Sequence, residues 1–577
     1  MKKLFVFGLV SSLLFMFAAC NKDNTTPDAP NVTAPSNTVA VQVSDSTDIT
    51  FSVDVPGGYA SSSVTASGGA AQVTSEPANG AKSGSVVVKF AAEANAGTGV
   101  VTLTVTDKNN KTNDQTAAIS ITEAPVKPAK DIFSSGNGTG SVTWYADTTY
   151  ILRGFIFVND GQTLTIEPGT VIKGQPGQGA GASALIIARG GKLMAEGTEQ
   201  APIIMTGLAD DLNGSVPDDA NQLWGGLIIL GKATTSNIAE SNDKSIEGIP
   251  ETEERGKYGG NDDADNSGVI KYLSVRHGGS VIGADNEING ISLGAVGSAT
   301  VLDHIEVFAN FDDGIEFFGG AAKVTNVAIV YPGDDGLDQD EGFHGSVQNA
   351  IVWESGDTRE SSDPRGCELD GGVGANEPEK PFATPTMSNI TVYFDGPEVK
   401  PYTPSDNQTF YMRDGWGGQF YNSIFYGFEG PIDMERRTDK INPEDNKAAS
   451  CYDQWLPVAD GGYGNLKIEN NIMYTGGATT NDSVGFAKLF VLSDETDAAK
   501  EANVEAYLMA NNVIVDPAFG TGMDKFTPGA AEAKQNLFTS LPADKGMATP
   551  TYKGAVDPDG TPFFANWSRL SEVLSSK

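Results

Sequence analysis

Apolar residues along this chain come in short runs rich in Val, Ile and Thr, broken by Gly, Asn, Asp and Pro, the pattern of brief strands joined by tight turns. Within residues 37–124 the runs alternate with period two: Val39–Val43, Ile49–Val55, Gly84–Phe90, Val100–Thr106 and Ala117–Thr122 each predict a half-buried strand. Their spacing suits a β-sandwich. Beyond a linker over 125–130 the pattern changes. The quartets Asn326–Ile329, Asn349–Val352, Asn389–Val392, Asn422–Phe425 and Asn470–Met473 share one frame, with His304–Val307 one coil earlier. Alternation sends the second and fourth residues of each inward, so the leading Asn residues are expected to stack at a corner with their amides bonded from coil to coil. Helical periodicity is nearly absent. The end, Trp567–Leu574, predicts a short helix.

Two nine-residue stretches, Asp312–Gly320 and Asp334–Gly342, begin 22 residues apart and share the pattern Asp-Asp-Gly-apolar-acid. A repeat of that length predicts a solenoid. A second frame then places Ile315, Leu337, Leu369 and Met412 inward and Glu316, Asp338, Asp370 and Arg413 outward as a column. The interval between the two frames is 10 residues from Ile305 to Ile315 and from Val327 to Leu337. It lengthens to 19 from Ala350 to Leu369 and 22 from Ile390 to Met412, so loops are expected at 354–366 and 394–410, walling the column. Carboxylates on adjacent coils, roughly 4.8 Å apart, repel by about 3–4 kcal/mol at an effective dielectric near 20. Such a column must hold a cation, share protons or pair with Arg413.

The charge balance points the same way. Lys and Arg total 38 against 75 Asp and Glu, a net charge of −37, which repels nucleic acid and draws divalent cations. The 68 Gly and 29 Pro fit recurrent corners. Met1–Lys3 followed by the apolar Leu4–Phe17 and then Phe17-Ala-Ala-Cys20 resembles a bacterial lipobox. It predicts a signal peptide over 1–19, a lipidated Cys20, a flexible tether over 20–36, and a place in the cell envelope at the outer membrane. Cys367 and Cys451 are expected to remain unbridged, although an oxidising compartment permits a disulfide.

The runs Thr163–Lys173, Leu185–Thr206, Trp224–Gly231 and Asp265–Val275, with the two Asp-Asp-Gly repeats, resemble right-handed parallel β-helix proteins of the pectate-lyase-like superfamily. Residues 37–124 resemble bacterial immunoglobulin-like modules. The expected fold is therefore all-β: an immunoglobulin-like β-sandwich, then a right-handed single-stranded parallel β-helix over 131–577 with a C-terminal cap near Tyr552–Pro558. In the enzymes of the superfamily, acids on an outer strand hold calcium and an Arg or Lys removes a proton α to a uronate carboxylate. The resemblance thus implies calcium at Glu316, Asp338 and Asp370, with Asp312, Asp313, Asp334 and Asp335 completing the shell. It implies Arg413 as base, with Arg359, Arg365 and Lys400 on the adjoining loops.

Other readings of the same residues stay open. The four corner Asp residues suit capping of backbone amides beside a left-handed Gly, and Asp334, Asp335 and Asp338 suit an acid–base pair of a glycoside hydrolase. Asp263 and Asp265 have the spacing of a calcium loop. Tyr411 and Trp416, beside the column, are candidates to stack on a sugar. His277, His304 and His344 are too scattered for a transition-metal site and are expected at corners. The leading expectation is a surface lipoprotein that binds a polysaccharide or a partner protein, with calcium. The alternatives are a calcium-dependent polysaccharide lyase and a structural adhesin.

Overall fold

The computed structural model describes residues 26–576 except 44, 94, 124–126, 237–243, 284–285, 356–364, 373–379, 396–407, 438–440, 443–445 and 494. Cys20 and the predicted signal peptide lie outside the described residues, as do Arg359, Lys400 and most of the two predicted loops. Two compact units divide between residues 126 and 127.

The first unit has two four-stranded sheets. One runs in the order Asn31–Thr33, Ser46–Asp54, Ser83–Ala92, Gly69–Ser75; the other runs Val39–Gln42, Thr112–Thr122, Gly97–Asp107, Tyr59–Ser67. All pairs are antiparallel except Val39–Gln42 with Thr112–Thr122. The first order is that of the immunoglobulin A, B, E and D strands, and the second holds its G, F and C strands. The inward sides of the alternating strands, among them Phe51, Val88, Phe90, Leu103 and Ile119, form one core. Tyr59–Ser67 and Gly69–Ser75 gave no sequence signal because Ser and Ala dominate them, which their positions at sheet edges permit.

The second unit is a parallel β-helix. Its first strand, Ala129–Phe133, starts inside the segment expected to be linker. One ten-stranded parallel sheet stacks, among others, Ile291–Gly294, Ile315–Phe318, Leu337–Asp340, Cys367–Asp370, Gln408–Arg413 and Gly430–Glu435. The other, sixteen-stranded sheet carries the long strands Gly268–Arg276, Val301–Phe308, Lys323–Val330, Ser346–Ser355 and Thr386–Asp395. In each long strand the ladder skips one residue, and that residue is left-handed: Tyr272, His304, Asn326, Asn349 and Asn389 have φ between 47° and 59°.

This is why Asn recurs in the frame, since it is among the few side chains that tolerate that conformation. The amide ladder is less general than expected. Asn349 donates to Asn326 Oδ1 at 3.1 Å, but Asn389, Asn422 and Asn470 donate to the carbonyls of Tyr552, Phe538 and Asn536. His277 and His304 also sit at left-handed positions, whereas His344 does not.

Residues inward in the Asn frame, such as Val327, Ile329, Ala350, Val352, Ile390 and Val392, line the continuous core. Their outward neighbours Phe308, Ala328, Val330, Ile351 and Trp353 are buried as well, under Phe526, Phe564, Leu570, Val573 and Leu574. The C-terminal segment is therefore more than a cap near residue 555: it folds back over the outside of earlier coils. Gln348 and Ala548 exchange two hydrogen bonds at 2.8 Å, and Glu306 accepts from the amides of Arg569 and Leu570 at the start of the expected terminal helix, Arg569–Ser576. The helices Cys451–Trp455, Ser483–Leu489 and Ala498–Asn511 were not expected. The longest of them buries only Val504 and Leu508, too thin an apolar stripe to show as periodicity.

Candidate cation site on the acidic face

The acidic face begins at a column of turns. Gly314 and Gly336 each precede a strand of the ten-stranded sheet and bond through their amides to the carbonyls of Asp335 and Arg365 on the next coil. Neither is left-handed, contrary to expectation. They are glycine because a Cβ would run into the neighbouring coil: at Gly314 into Ile329 and the Gly336 carbonyl, at Gly336 into Val352 and the Gly366 carbonyl. The second Asp of each pair does cap. Asp313 Oδ1 accepts from the Asp335 amide at 2.9 Å, and Asp335 Oδ1 accepts from the Arg365 amide. The first Asp of each pair, Asp312 and Asp334, joins the carboxylate cluster.

In the strands that follow, Ile315 pairs with Leu337 and Glu316 with Asp338, as expected. The next coil differs. Leu337 pairs with Cys367 rather than Leu369, so Glu368 stands beside Asp338, and Asp370 lies one pleat further along. Phe410 then pairs with Cys367, Tyr411 with Glu368 and Arg413 with Asp370. The outward column is therefore Glu316, Asp338, Glu368 and Tyr411, and the column built through Asp370 is corrected. A slip of two residues leaves every side chain on the same face, so alternation alone cannot detect it.

Seven carboxylates gather here in three overlapping triads, with ligand oxygens within 4.8 Å of one another: Glu247, Glu287 and Asp312; Asp312, Asp313 and Asp334; Asp313, Glu316 and Asp338. Glu247 and Glu287 were missed by sequence reasoning; they reach the face from the segment 244–258 and from the paired strands Val281–Gly283 and Asn286–Glu287, distant in sequence and carrying no repeat. Burial first, and then the neighbouring carboxylates, push Asp312, Asp313, Glu316 and Asp338 well above the usual carboxylate range. Glu247 is pushed up to about 7 by burial, as is Asp340 beside the column. Asn289 donates to Glu316 Oε2. Asp338 Oδ1 is buried and meets no donor among the described residues. An all-oxygen donor set with such an atom fits a hard divalent cation such as calcium. Asp335 and Asp370 fall outside these triads.

Arg413 and Arg365 are both committed to ion pairs. Arg413 Nε spans both Asp370 oxygens at 2.7 and 2.8 Å, and its Nη2 pairs with Glu368. Arg365 pairs with the other oxygen of Glu368 and reaches Asp335 at 3.8 Å. The Tyr411 ring lies 5.1 Å from the Arg365 guanidinium and 5.5 Å from that of Arg413.

Residues 136–490 match the family described as the pectate-lyase-like beta helix domain. The chain belongs to that family. It is also similar to a solved structure titled as the family 28 exopolygalacturonase of Yersinia enterocolitica, at 11% identity over 70% of this chain and 94% of that one, with a TM-score of 0.17. No curated protein matches the chain.

In this pectate-lyase-like β-helix the expected base, Arg413, is held in ion pairs. Burial works against the Arg413 charge, but the carboxylates of Asp370 and Glu368 outweigh it and raise the Arg413 pKa further above its already high value. The expectation for Trp416 is corrected. It is fully buried in the core, with Nε1 donating to Gln339 Oε1 at 3.0 Å, and no sugar reaches it. Asp263 accepts from Thr234 and faces His344 Nε2 at 3.3 Å, and Asp265 accepts from the Lys232 amide, so both carboxylates are engaged within the fold. Cys367 and Cys451 are buried free thiols, as expected.

Proposed function

We propose that this chain is a lipid-anchored envelope protein, tethered through Cys20 at the outer membrane, whose β-helix binds a polysaccharide or a partner protein and holds calcium on its acidic face. The observation that carries the reading is the set of overlapping carboxylate triads with the donorless Asp338 Oδ1. These acids are drawn from two insertions and two successive coils, and their mutual repulsion opposes the fold unless protons or a cation intervene. Supporting the envelope placement are the lipobox-like Phe17-Ala-Ala-Cys20 and the excess of acid that attracts divalent cations. Among the described residues no helix is long and apolar enough to cross a membrane.

The ion-paired state of Arg413 supports binding over the lyase alternative. Incubation with polygalacturonate, followed by absorbance of unsaturated product, is expected to give no signal with or without calcium. Calcium-dependent product formation, lost in Arg413→Ala, would replace this reading with the lyase. For the ion, the melting temperature is expected to rise with calcium and fall with chelator. Identical curves would remove calcium from the proposal.

A further inference from the structure

An open trough of about 410 Å³ lies on the coils that follow Arg413, bordered by Tyr426, Phe428, Glu429, Tyr474, Thr475 and Thr479. It follows the strands Ile424–Tyr426 and Ile472–Tyr474, and its construction comes from coil register. Tyr393 pairs with Tyr426, and Tyr426 with Tyr474, on successive coils. Their rings stack at centroid distances of 4.9 and 5.9 Å, tilted by only 15° and 17°. Phe519 meets Tyr393 and Tyr426 edge-on, each at 5.5 Å. The tyrosines are thus immobilised before any ligand arrives, which lowers the entropic cost of binding.

The polar groups of the trough narrow the chemistry. The hydroxyls of Tyr426 and Tyr474 make no hydrogen bond among the described residues, and Glu429 and Thr479 are exposed. Among the described residues no Lys or Arg borders the trough. A carboxylate at the rim of a chain with a net charge of −37 disfavours an anionic ligand. Aromatic surface combined with free hydroxyls and a hydrogen-bond acceptor suits a ligand that offers C–H faces and hydroxyl donors together.

We infer that this trough binds a neutral oligosaccharide, through the Tyr474 ring, the Tyr426 and Tyr474 hydroxyls and the Glu429 carboxylate. The inference rests on the reading of the chain as a polysaccharide binder and locates the contact away from the acidic face, where Trp416 is inaccessible.

Isothermal titration of the full chain with cellohexaose, xylohexaose, mannohexaose and hexagalacturonate tests it. At least one neutral hexamer should bind. Thr479→Trp, an exposed change that occludes the trough without touching the tyrosine stack, should weaken that binding at least tenfold. Glu429→Lys should weaken it as well, and serves if Thr479→Trp does not fold. Asp147→Asn, an exposed change on the first coils, should leave it unchanged. Absence of neutral-hexamer binding at millimolar ligand, or affinity indifferent to Thr479→Trp and Glu429→Lys, overturns the inference. Hexagalacturonate binding that survives both variants overturns it while leaving polysaccharide binding intact; no binding by any of the four overturns it and leaves only a partner protein as ligand.

Discussion

At single positions the β-helix is governed by how closely one coil approaches the next. Gly336 is the clearest case, because its φ is ordinary and only the space above it is special. Gly336→Ala is expected to cost about 1–3 kcal/mol through overpacking against Val352 and the Gly366 carbonyl. Gly181→Ala, where a Cβ meets nothing within 4 Å and φ is not positive, should cost nothing by the same denaturant titration. Asn389 illustrates the opposite constraint, with φ of 59° and an amide that holds the Tyr552 carbonyl. Asn389→Ala should lose about 1–2 kcal/mol from the backbone alone. Asn389→Gly should recover most of that loss, and equal destabilisation by the two substitutions would contradict the account. These residues were legible in the sequence as a repeated frame. The reason for their identity was not, because a left-handed corner and an amide ladder both call for Asn.

Among elements, the decisive contact is the C-terminal segment on the outer face of the long strands. Glu306 is fully buried and caps the two leading amides of Arg569–Ser576. Glu306→Ala should therefore release the terminal helix, lowering stability by about 1–2 kcal/mol and opening residues 563–576 to limited proteolysis. Unchanged protease resistance would count against this anchoring. The acidic face gives a second element-scale expectation. Glu247 and Asp340, pushed up to about 7, and the more strongly raised Asp312, Asp313, Glu316 and Asp338 all favour their protonated forms in the fold. A raised carboxyl pKa adds stability that is full below the ordinary carboxyl range and is lost as pH rises through the folded value. In chelator, melting temperature should fall as pH rises from 5.5 to 8. Carboxylates with lowered values, such as Glu495 at about 2 and Asp263, act oppositely and matter only below roughly pH 4. A flat profile between 5.5 and 8 in chelator would show that the triads are not coupled to folding.

For the whole molecule the same acids connect stability to the surrounding medium. Calcium and protons compete for one set of oxygens, so saturating calcium should flatten the pH profile as well as raise the melting temperature. The paired change Glu316→Gln and Asp338→Asn should make the protein more stable in chelator and less responsive to calcium, since it removes two mutually repelling charges and two ligands. A calcium shift of wild-type size in that variant would place the ion elsewhere.

The sequence by itself determined the alternation of the strands, the coil repeat, the Asp-Asp-Gly turns and hence a sandwich followed by a parallel β-helix with acids on one outer face. These are local patterns, readable because a strand has period two and a coil returns to the same corner. The tertiary structure decided whether Glu368 or Asp370 stands beside Asp338, since both registers satisfy the same alternation. It also decided that Glu247 and Glu287 join the site, that Trp416 turns into the core, and that the last residues return to cover Phe308 and Trp353. Each of those outcomes depends on how far an insertion reaches, and insertion length carries no information about where its side chains land.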